Sequence, residues 1–206
     1  MLKTALISFA VCFAAIAQTP QSGAPHEQVT VCTGNCPPIL VPIVDNERVT
    51  VLDVANPQWT ADHDFVAVSL TKKGTAVLGH KGDKPAKDGE RTIVIELKDH
   101  PVPPLPNKTG YPNAFPRPHV KKLIENDHVI VWSYHWNPGE PTPMHFHDKD
   151  VVVVYEEDTA LKSTTPDGQN VVNEYKDGQV KFNLRDRTHT ELLVRGTGSA
   201  VMTELK

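Results

Sequence analysis

From Arg48 onward this sequence consists of short runs in which apolar and polar residues alternate. The runs are rich in β-branched and aromatic residues and are bounded by turn-forming residues, which is the pattern of half-buried β-strands. The 18 prolines and 12 glycines favour short strands and turns over long helices. No run keeps a helical period, so the sequence predicts an all-β fold. The runs are VTVLDV, DFVAVSL, RTIVIELKD, HVIVWSY, DVVVVYEE, QNVVNEYKD, QVKFNL and SAVMTEL.

Three sequence matches, in the same order, indicate two copies of one β unit. We predict the first copy in residues 44–100 and the second in residues 120–206. Between them, residues 101–119 contain seven prolines, which suit an extended and rigid crossover. The matches pair Asn46–Leu52 with Asn126–Trp132, Asp64–Val68 with Asp150–Val154, and Glu96–His100 with Glu174–Gly178.

The second copy is longer than the first after its opening strand. The first copy has only ANPQWTADH at this place, whereas the second has HWNPGEPTPMHFHDK. The extra length contains His145 and His147. We therefore expect the second copy to hold a functional site and the first copy to stabilise the fold.

The amino terminus has the pattern of a secretory signal peptide. Lys3 precedes an apolar run, and Ala15-Ile16-Ala17 has the small-x-small pattern of a cleavage site. About 13 apolar residues are too few to span a bilayer, and no other segment is apolar enough, so we predict no membrane span. We expect residues 1–17 to be removed and the protein to be exported, either secreted or periplasmic.

Residues 18–43 are predicted to be a flexible lead-in, because they are rich in Pro, Gln, Ser and Gly. Within them, Cys32 and Cys36 form the sequence CTGNC. Two cysteines in an exported protein favour a disulfide. Two free thiols or a pair of metal ligands are the alternatives.

His145 and His147 lie two residues apart in the stretch GEPTPMHFHDKD. Residues two apart in a strand point to the same face, so both imidazoles should project side by side. Two ligands alone hold a metal poorly, and a third must come from elsewhere in the chain. The alternative is a pair of surface histidines in a loop.

The spacing around these histidines resembles the two motifs of the cupin family. The first motif opens with G-x5-H-x-H, which is present as Gly139, His145 and His147. The second motif needs a glycine followed eleven residues later by a histidine, and Gly178 and His189 have this spacing. The resemblance covers most of the second copy and, more faintly, the first.

The resemblance implies two cupin-type jelly-roll β-barrels in tandem, a bicupin whose first barrel is degenerate. It implies a divalent transition metal in the second barrel, held by His145, His147 and His189. Three neutral imidazoles suit Fe, Zn, Mn, Ni or Cu, and the sequence does not choose among them. Cupin barrels often pair through exposed sheet edges, so the resemblance also implies a homodimer.

The chain departs from the family pattern at several positions. Cupins place a glutamate four residues after the second histidine, where this chain has Val151. Asp150 is adjacent but should face the other way by strand alternation, unless a bulge turns it inward. Glu191 lies two residues after the second-motif histidine and should share its face, so we take it as the candidate catalytic residue. Leu184 and Asp186 stand where the second motif has proline and glycine.

These residues allow three functions. The first is a metal-dependent enzyme, of dioxygenase, isomerase or lyase type, acting on a small acid or sugar with Glu191 as its acid or base. The second is a binding module that holds such a ligand through the metal, and the third is a metal-free structural barrel. The net charge of −4 and the absence of a basic patch argue against a nucleic-acid partner. Because a metal needs deprotonated imidazoles, its affinity should fall below about pH 6 at the reference histidine pKa.

Overall fold

The computed structural model describes residues 40–87 and 89–206. The predicted signal peptide of residues 1–17 lies outside the described residues, as do Cys32 and Cys36 with most of the predicted lead-in. Their processing and disulfide bonding stay predictions.

Fourteen β-strands and no helix occur in the described ranges, which confirms the all-β prediction. A search of these ranges therefore finds no helix with the length and apolar character needed to cross a membrane. The strands are β1 (Val44–Asp45), β2 (Val49–Val54), β3 (Phe65–Ser69), β4 (Ala76–Gly79), β5 (Thr92–Leu97), β6 (Val120–Glu125), β7 (Val129–Trp136), β8 (His145–His147), β9 (Val151–Tyr155), β10 (Thr159–Thr164), β11 (Asn170–Tyr175), β12 (Val180–Asn183), β13 (Arg187–Gly196) and β14 (Gly198–Leu205).

The strands form three antiparallel sheets. The amino-terminal sheet has the order β1-β2-β5-β3-β4, and the central sheet has the order β12-β9-β14-β7-β6. The outer sheet has the order β11-β10-β13-β8. The central and outer sheets enclose one apolar core, and we call these two sheets together the barrel.

The amino-terminal and central sheets have the same strand arrangement. Read from the other edge, the central sheet is β6-β7-β14-β9-β12, so β5 and β14 are the equivalent middle strands. The turns before β2 and β7 also match. The Asn46 side-chain oxygen accepts the backbone N–H of Val49 at 3.0 Å, and Asn126 accepts that of Val129 at 2.8 Å. Two of the three predicted sequence matches therefore join equivalent strands.

The third predicted match is wrong. It paired the end of β5, at Glu96, with the end of β11, at Glu174. In the structure the counterpart of Glu96 is Glu204, because β14 takes the place in the central sheet that β5 takes in the amino-terminal sheet. The short sequence Glu-Leu-Lys ends both middle strands, and the backbone N–H of Lys98 and of Lys206 bonds the start of the neighbouring strand in the same way.

The first copy has only one sheet within the described part of the chain. A single strand, β4, joins β3 to β5, whereas β10, β11, β12 and β13 join β9 to β14. The first copy therefore has no counterpart there to the outer sheet. That residues 44–100 form a degenerate cupin-like barrel stays a prediction.

One apolar core lies between the amino-terminal and central sheets. Alternate residues along each strand point into it, as Val49 and Val51 do on β2 and Val152 and Val154 do on β9. Burying a valine or isoleucine side chain stabilises a fold by about 1.5–3 kcal/mol relative to exposing it, so this face contributes strongly. The core consists of Val49, Val51, Val66, Val68, Ile93, Ile95, Val129, Val131, Val152, Val154, Val201 and Leu205.

The proline-rich crossover of residues 101–119 runs along the edge strand β8. The N–H of Phe146 donates to the Pro112 carbonyl at 2.8 Å, and the N–H of Ala114 donates to the Phe146 carbonyl at 2.8 Å. These bonds satisfy the backbone groups of an edge strand that would otherwise be open to pairing. The crossover therefore forms one wall of the barrel beside its first pair of histidines.

Candidate metal centre

The three predicted histidines converge inside the barrel. His145 and His147 lie on β8, and His189 lies on β13, directly opposite His145 in the antiparallel pairing. All three side chains are buried, with exposed fractions of 1%, 5% and 8%. Alternation along β8 points both of its histidines inward, as the sequence predicts, and the strand pairing supplies the third.

The spacing of the imidazole nitrogens fits a metal ion. The Nε2 atom of His147 lies 3.2 Å from Nε2 of His145 and 3.3 Å from Nε2 of His189. Metal–nitrogen bonds of about 2.0–2.1 Å in tetrahedral geometry place ligand nitrogens about 3.3 Å apart. The three candidate ligand atoms all lie within 4.8 Å of one another. The cluster can therefore act as a three-histidine face without rearrangement of the backbone.

The imidazoles are held neutral, which metal binding requires. Burial, reinforced by the positive charge of Arg117, lowers the pKa of His145 to about 3. Burial also lowers the pKa of His147 well below its ordinary value and lowers that of His189. The Nδ1 atom of His145 lies 2.8 Å from the carbonyl of Pro143, and donating to it makes Nε2 the acceptor nitrogen. The Nε2 lone pair accepts from Nη1 of Arg117 at 2.7 Å, so a metal ion would take the place of this hydrogen bond.

Glu191 lies beside the histidines, as its position two residues after His189 predicts. Its Oε2 atom accepts the indole N–H of Trp136 at 3.1 Å, and its Oε1 atom lies 3.8 Å from Nε2 of His189. Burial alone would raise the pKa of Glu191, but the neighbouring His189 and Arg117 outweigh it and lower the pKa. An ionised carboxylate thus borders the three-histidine face.

Asp150 faces away from the cluster, as strand alternation predicts. Its carboxylate accepts the guanidinium of Arg48 at 2.7 Å and the backbone N–H of Arg185 at 2.8 Å. Val151, which stands where cupins have a glutamate, is buried and contributes an apolar wall. Of the two acidic residues considered from the sequence, only Glu191 reaches the histidines.

Arg117 belongs to the site although the sequence reasoning missed it. It comes from the proline-rich crossover, and its Nη1 atom lies 2.7 Å from Nε2 of His145. Its guanidinium stacks on Tyr134, at 4.2 Å from the ring centroid, and lies 3.5 Å from the carboxylate of Glu191. Neither cupin-like motif contains this position, so only the path of the crossover reveals it.

A cavity of about 280 Å³ opens from the histidines. This is at the small end of ligand pockets, which run from about 300 to 1,000 Å³. The Tyr155 and Tyr175 rings stack at 3.7 Å in its wall. Arg187 and Lys181 also line the cavity, although the sequence reasoning identified neither of them as a site residue. Arg187 could have been identified, because it lies two residues before His189 on the same strand and so should share the face of His189 and Glu191. The other lining residues are Arg117, His147, Val151, Val153, Ser163, Val171, Asn173, Asn183, His189, Glu191 and Met202.

The backbone at the motif positions agrees with the register taken from the cupin resemblance. Gly139 and Gly178, which open the two motifs, have φ values of +79° and +75°. Asp186 stands where the second motif has a glycine, and its φ is +64°. Because left-handed backbone is unfavourable for most residues other than glycine, this position keeps the turn that the glycine would form.

Comparisons with known proteins find similarity only among solved structures. The sequence matches no protein-family model and no curated protein. The chain is similar to a cupin domain from Bordetella pertussis, with 26% identity over 45% of this chain and 99% of that one, at a TM-score of 0.38. It is also similar to a cupin 2 conserved barrel domain protein from Leptotrichia buccalis, with 13% identity over 82% of this chain and 88% of that one, at a TM-score of 0.46.

A third similar structure is an RmlC-like cupin family protein with a double-stranded β-helix fold, from Methanocaldococcus jannaschii. Its identity is 14% over 50% of this chain and 89% of that one, at a TM-score of 0.36. All three similar structures are cupins. At these scores the likeness identifies neither a substrate nor a reaction for this chain.

Proposed function

We propose that this chain is a cupin that binds a divalent transition metal and uses it to bind or act on a small acid or sugar. The observation that carries the proposal is the buried three-histidine face of His145, His147 and His189. The Nε2 atom of His147 lies 3.2 Å from that of His145 and 3.3 Å from that of His189. The adjoining cavity of about 280 Å³ suits a small ligand.

The donor set suits a divalent first-row transition metal. Imidazole nitrogen binds Fe, Zn, Mn, Ni or Cu, and three neutral donors leave the full positive charge of a divalent ion unbalanced by the protein. Such an ion would polarise a ligand oxygen or acidify a bound water. His147 and His189 line the cavity, so a ligand would approach the cluster from there.

Glu191 decides between catalysis and binding alone. Its carboxylate is ionised and borders the cluster, so it is placed to accept a proton from a ligand held in the cavity. Trp136 fixes the orientation of this carboxylate by donating its indole N–H. We therefore place the enzyme ahead of the binding module, and expect Glu191→Gln to abolish turnover while ligand binding persists. Absence of turnover in both the wild-type protein and this variant, with ligand binding retained, would favour the binding module, and equal turnover in both would mean that Glu191 is not the catalytic base.

The first test is metal content by elemental analysis of the purified protein. We expect about one metal ion per chain, because the described residues contain one three-histidine cluster. Each of His145→Ala, His147→Ala and His189→Ala should lose the metal, since each removes one ligand of three. The matched control is His135→Ala, which removes an exposed histidine of the same barrel and should leave the metal bound.

Two outcomes would contradict this proposal. If the protein holds no metal after several divalent ions are supplied, the chain is a structural barrel. If His189→Ala keeps the metal while the β8 variants lose it, the three-histidine face is not the site. Neither outcome would follow from misfolding of one variant, because the wild-type protein and the His189→Ala variant decide them separately.

We also propose that the chain is exported and acts as a homodimer. Export is supported by the signal-peptide pattern of residues 1–17, and the homodimer by the resemblance to cupins. Sequencing the exported protein from its amino terminus should begin at Gln18, and light scattering should give twice the mass of one chain. Retention of residues 1–17 in the mature protein would overturn the proposed export.

A further inference from the structure

The barrel cavity carries more positive than negative charge. Arg117, Lys181 and Arg187 line it, and Glu191 is the only carboxylate among its lining residues. With the histidines neutral, three positive groups against one negative group leave a balance of +2. A divalent ion would raise the balance to +4 in a protein whose own net charge is −4. A concave site with this excess attracts anions.

Arg117 has partners within the protein. Its guanidinium contacts His145 at 2.7 Å and Glu191 at 3.5 Å, and it stacks between Tyr134 and Phe115. It therefore balances the charge of Glu191. The remaining positive groups of the cavity, Arg187 and Lys181, carry the excess.

Arg187 is oriented by the protein but not neutralised by it. Its Nε atom donates to the Leu184 carbonyl at 2.6 Å, which fixes the plane of the guanidinium. Its Nη2 atom is buried and has no hydrogen-bond partner among the described residues. Arg187 pairs with His147 across the strands β13 and β8, so it lies next to the three-histidine face. No carboxylate of residues 40–87 or 89–206 lies within ion-pair distance of it.

Lys181 completes this positive wall from the neighbouring strand β12. Its Nζ atom lies 5.8 Å from the centroid of Tyr175, over the ring that forms the cavity wall. Lys181 is exposed at the mouth of the cavity, and it too has no ion pair within the described ranges. The amides of Asn173 and Asn183 add neutral hydrogen-bonding groups beside it.

We propose that Arg187 and Lys181 bind a carboxylate of the ligand, so that the cavity takes a small organic acid rather than a neutral sugar. This inference rests on the proposed function, because it names the ligand class of the same metal-containing cavity. A buried guanidinium N–H without a hydrogen-bond partner, such as that at Nη2 of the half-buried Arg187, is costly, and a carboxylate satisfies it with a charge-assisted hydrogen bond. A site built in this way rejects a neutral analogue, because binding the analogue would leave the cation unpaired.

The test is calorimetric titration of the full-length, metal-loaded protein with charged and neutral probes of matched shape. The pairs are malonate with malonamide, and gluconate with glucitol. We expect binding of at least one anion of these pairs and binding of its neutral counterpart at least about 10-fold weaker. Arg187→Gln should weaken binding of that anion by about 10- to 100-fold, whereas Arg187→Lys should restore part of the loss.

The matched control is Arg195→Gln on the same strand. Arg195 is exposed and pairs with Glu174 at 2.6 Å, away from the cavity lining, so its loss should leave anion binding unchanged. Lys181→Gln gives a second, independent variant, because an exposed lysine can be replaced without unfolding the barrel. It should weaken anion binding by about 3- to 10-fold.

The outcomes separate this inference from the proposed function. Metal binding with equal affinity for charged and neutral probes, or unchanged anion binding in both Arg187→Gln and Lys181→Gln, would overturn the carboxylate site and leave the metal site standing. Absence of metal from the wild-type protein, together with anion binding that depends on Arg187, would overturn the metal site and leave the carboxylate site standing. Metal content of Arg187→Gln should stay at the wild-type level, since Arg187 is not a ligand.

Discussion

The amino-terminal sheet and the central sheet share one strand arrangement, yet within residues 40–87 and 89–206 the three-histidine cluster lies on the central sheet's side, in the barrel. The amino-terminal sheet places one face against the central sheet and covers its other face with an apolar cluster that includes Phe65 and Val94. The central sheet places its second face against the outer sheet instead. The difference is the outer sheet, which encloses the cavity beside the histidines, whereas the corresponding face of the amino-terminal sheet is covered by a packed apolar cluster.

This comparison explains where the chemistry lies. All three histidines, together with Arg187 and Glu191, belong to the two outer-sheet strands β8 and β13. The central sheet, which has the strand arrangement common to both copies, contributes none of the three histidines. It supports the site through residues such as Trp136, which donates to Glu191. The two copies thus share a five-stranded arrangement, and the added outer sheet gives the second copy its candidate site.

The largest predicted effect concerns the ion pair that joins the two copies. Arg48 and Asp150, whose side chains are 10% and 7% exposed, bond at 2.7 Å. Replacing Arg48 by Met leaves Asp150 buried and unpaired, so we expect a loss of about 3–5 kcal/mol in the free energy of unfolding. Urea titration followed by circular dichroism measures it.

The control for that change is Lys176→Met, which breaks the exposed pair with Asp158 and should cost less than about 1 kcal/mol. Metal content should be unaffected by Arg48→Met, because Asp150 faces away from the histidines. Loss of metal at unchanged fold would mean that the two copies cooperate in forming the site, contrary to the separation described above.

The next prediction concerns the pH dependence of the metal-free protein. The unfolded chain takes up protons at its histidines below about pH 6.5, whereas the folded chain resists protonation of His145 down to about pH 3. The free energy of unfolding should therefore fall as the pH falls through this interval, by up to about 1.4 kcal/mol per pH unit for each such histidine. The His145→Ala/His147→Ala double variant should show a shallower dependence, and an equal slope would contradict the prediction.

The same burial changes the expected pH at which metal is released. The reference histidine pKa predicts weaker binding below about pH 6, but protons compete less well for imidazoles whose pKa is lowered by burial. We therefore expect the folded protein to keep its metal at about pH 5, with release at lower pH. Dialysis over a pH series followed by elemental analysis shows the release point.

A smaller effect tests the core shared by the two copies. Ile93 of β5 is fully buried between the amino-terminal and central sheets. Ile93→Val should reduce the free energy of unfolding by about 0.5–1.5 kcal/mol. Because the core is shared, far-ultraviolet and near-ultraviolet circular dichroism should give the same shifted midpoint. Two separate midpoints would show that the copies unfold independently, and Val77→Ala, at an exposed position of β4, is the control.

The smallest predicted effect lies in a turn that only the barrel has. Asp186 adopts a φ of +64°, which glycine adopts without strain. Asp186→Gly should raise the free energy of unfolding by up to about 1 kcal/mol, while Asp186→Ala should lower it. Thermal unfolding of both variants compares them directly, and the reverse order would contradict the reading of this turn as the second-motif glycine position.

Much of the fold and part of the site could be predicted from the sequence. Alternation with period two identified the strands, and motif spacing identified the histidines, because both depend on local geometry. Glu191 followed from the same alternation, and Arg187 could have followed from it. Arg117 could not, because its position depends on how the crossover pairs with β8 through Pro112 and Phe146.

The repeat was recognised only in part for a related reason. Glu174 resembles Glu96 in its neighbours along the chain, but sheet order is fixed by pairing between distant strands. The equivalent residue, Glu204, lies after the whole outer sheet has been inserted. The short sequence matches therefore identified the equivalent strands that come before the inserted strands β10–β13. They misassigned β14, which comes after the insertion.

The hydrogen bond between Trp136 and Glu191 gives the protein an optical reporter. The indole of Trp136 is almost fully buried and bonds the carboxylate that borders the three histidines. Its fluorescence should respond when a paramagnetic ion or an anion enters the cavity, whereas that of Trp59, in the cluster behind the amino-terminal sheet, should not. Because the chain has three tryptophans, a Trp59→Phe/Trp132→Phe variant would leave Trp136 as the single emitter and let the occupancy of the cavity be followed by light emission, without a label.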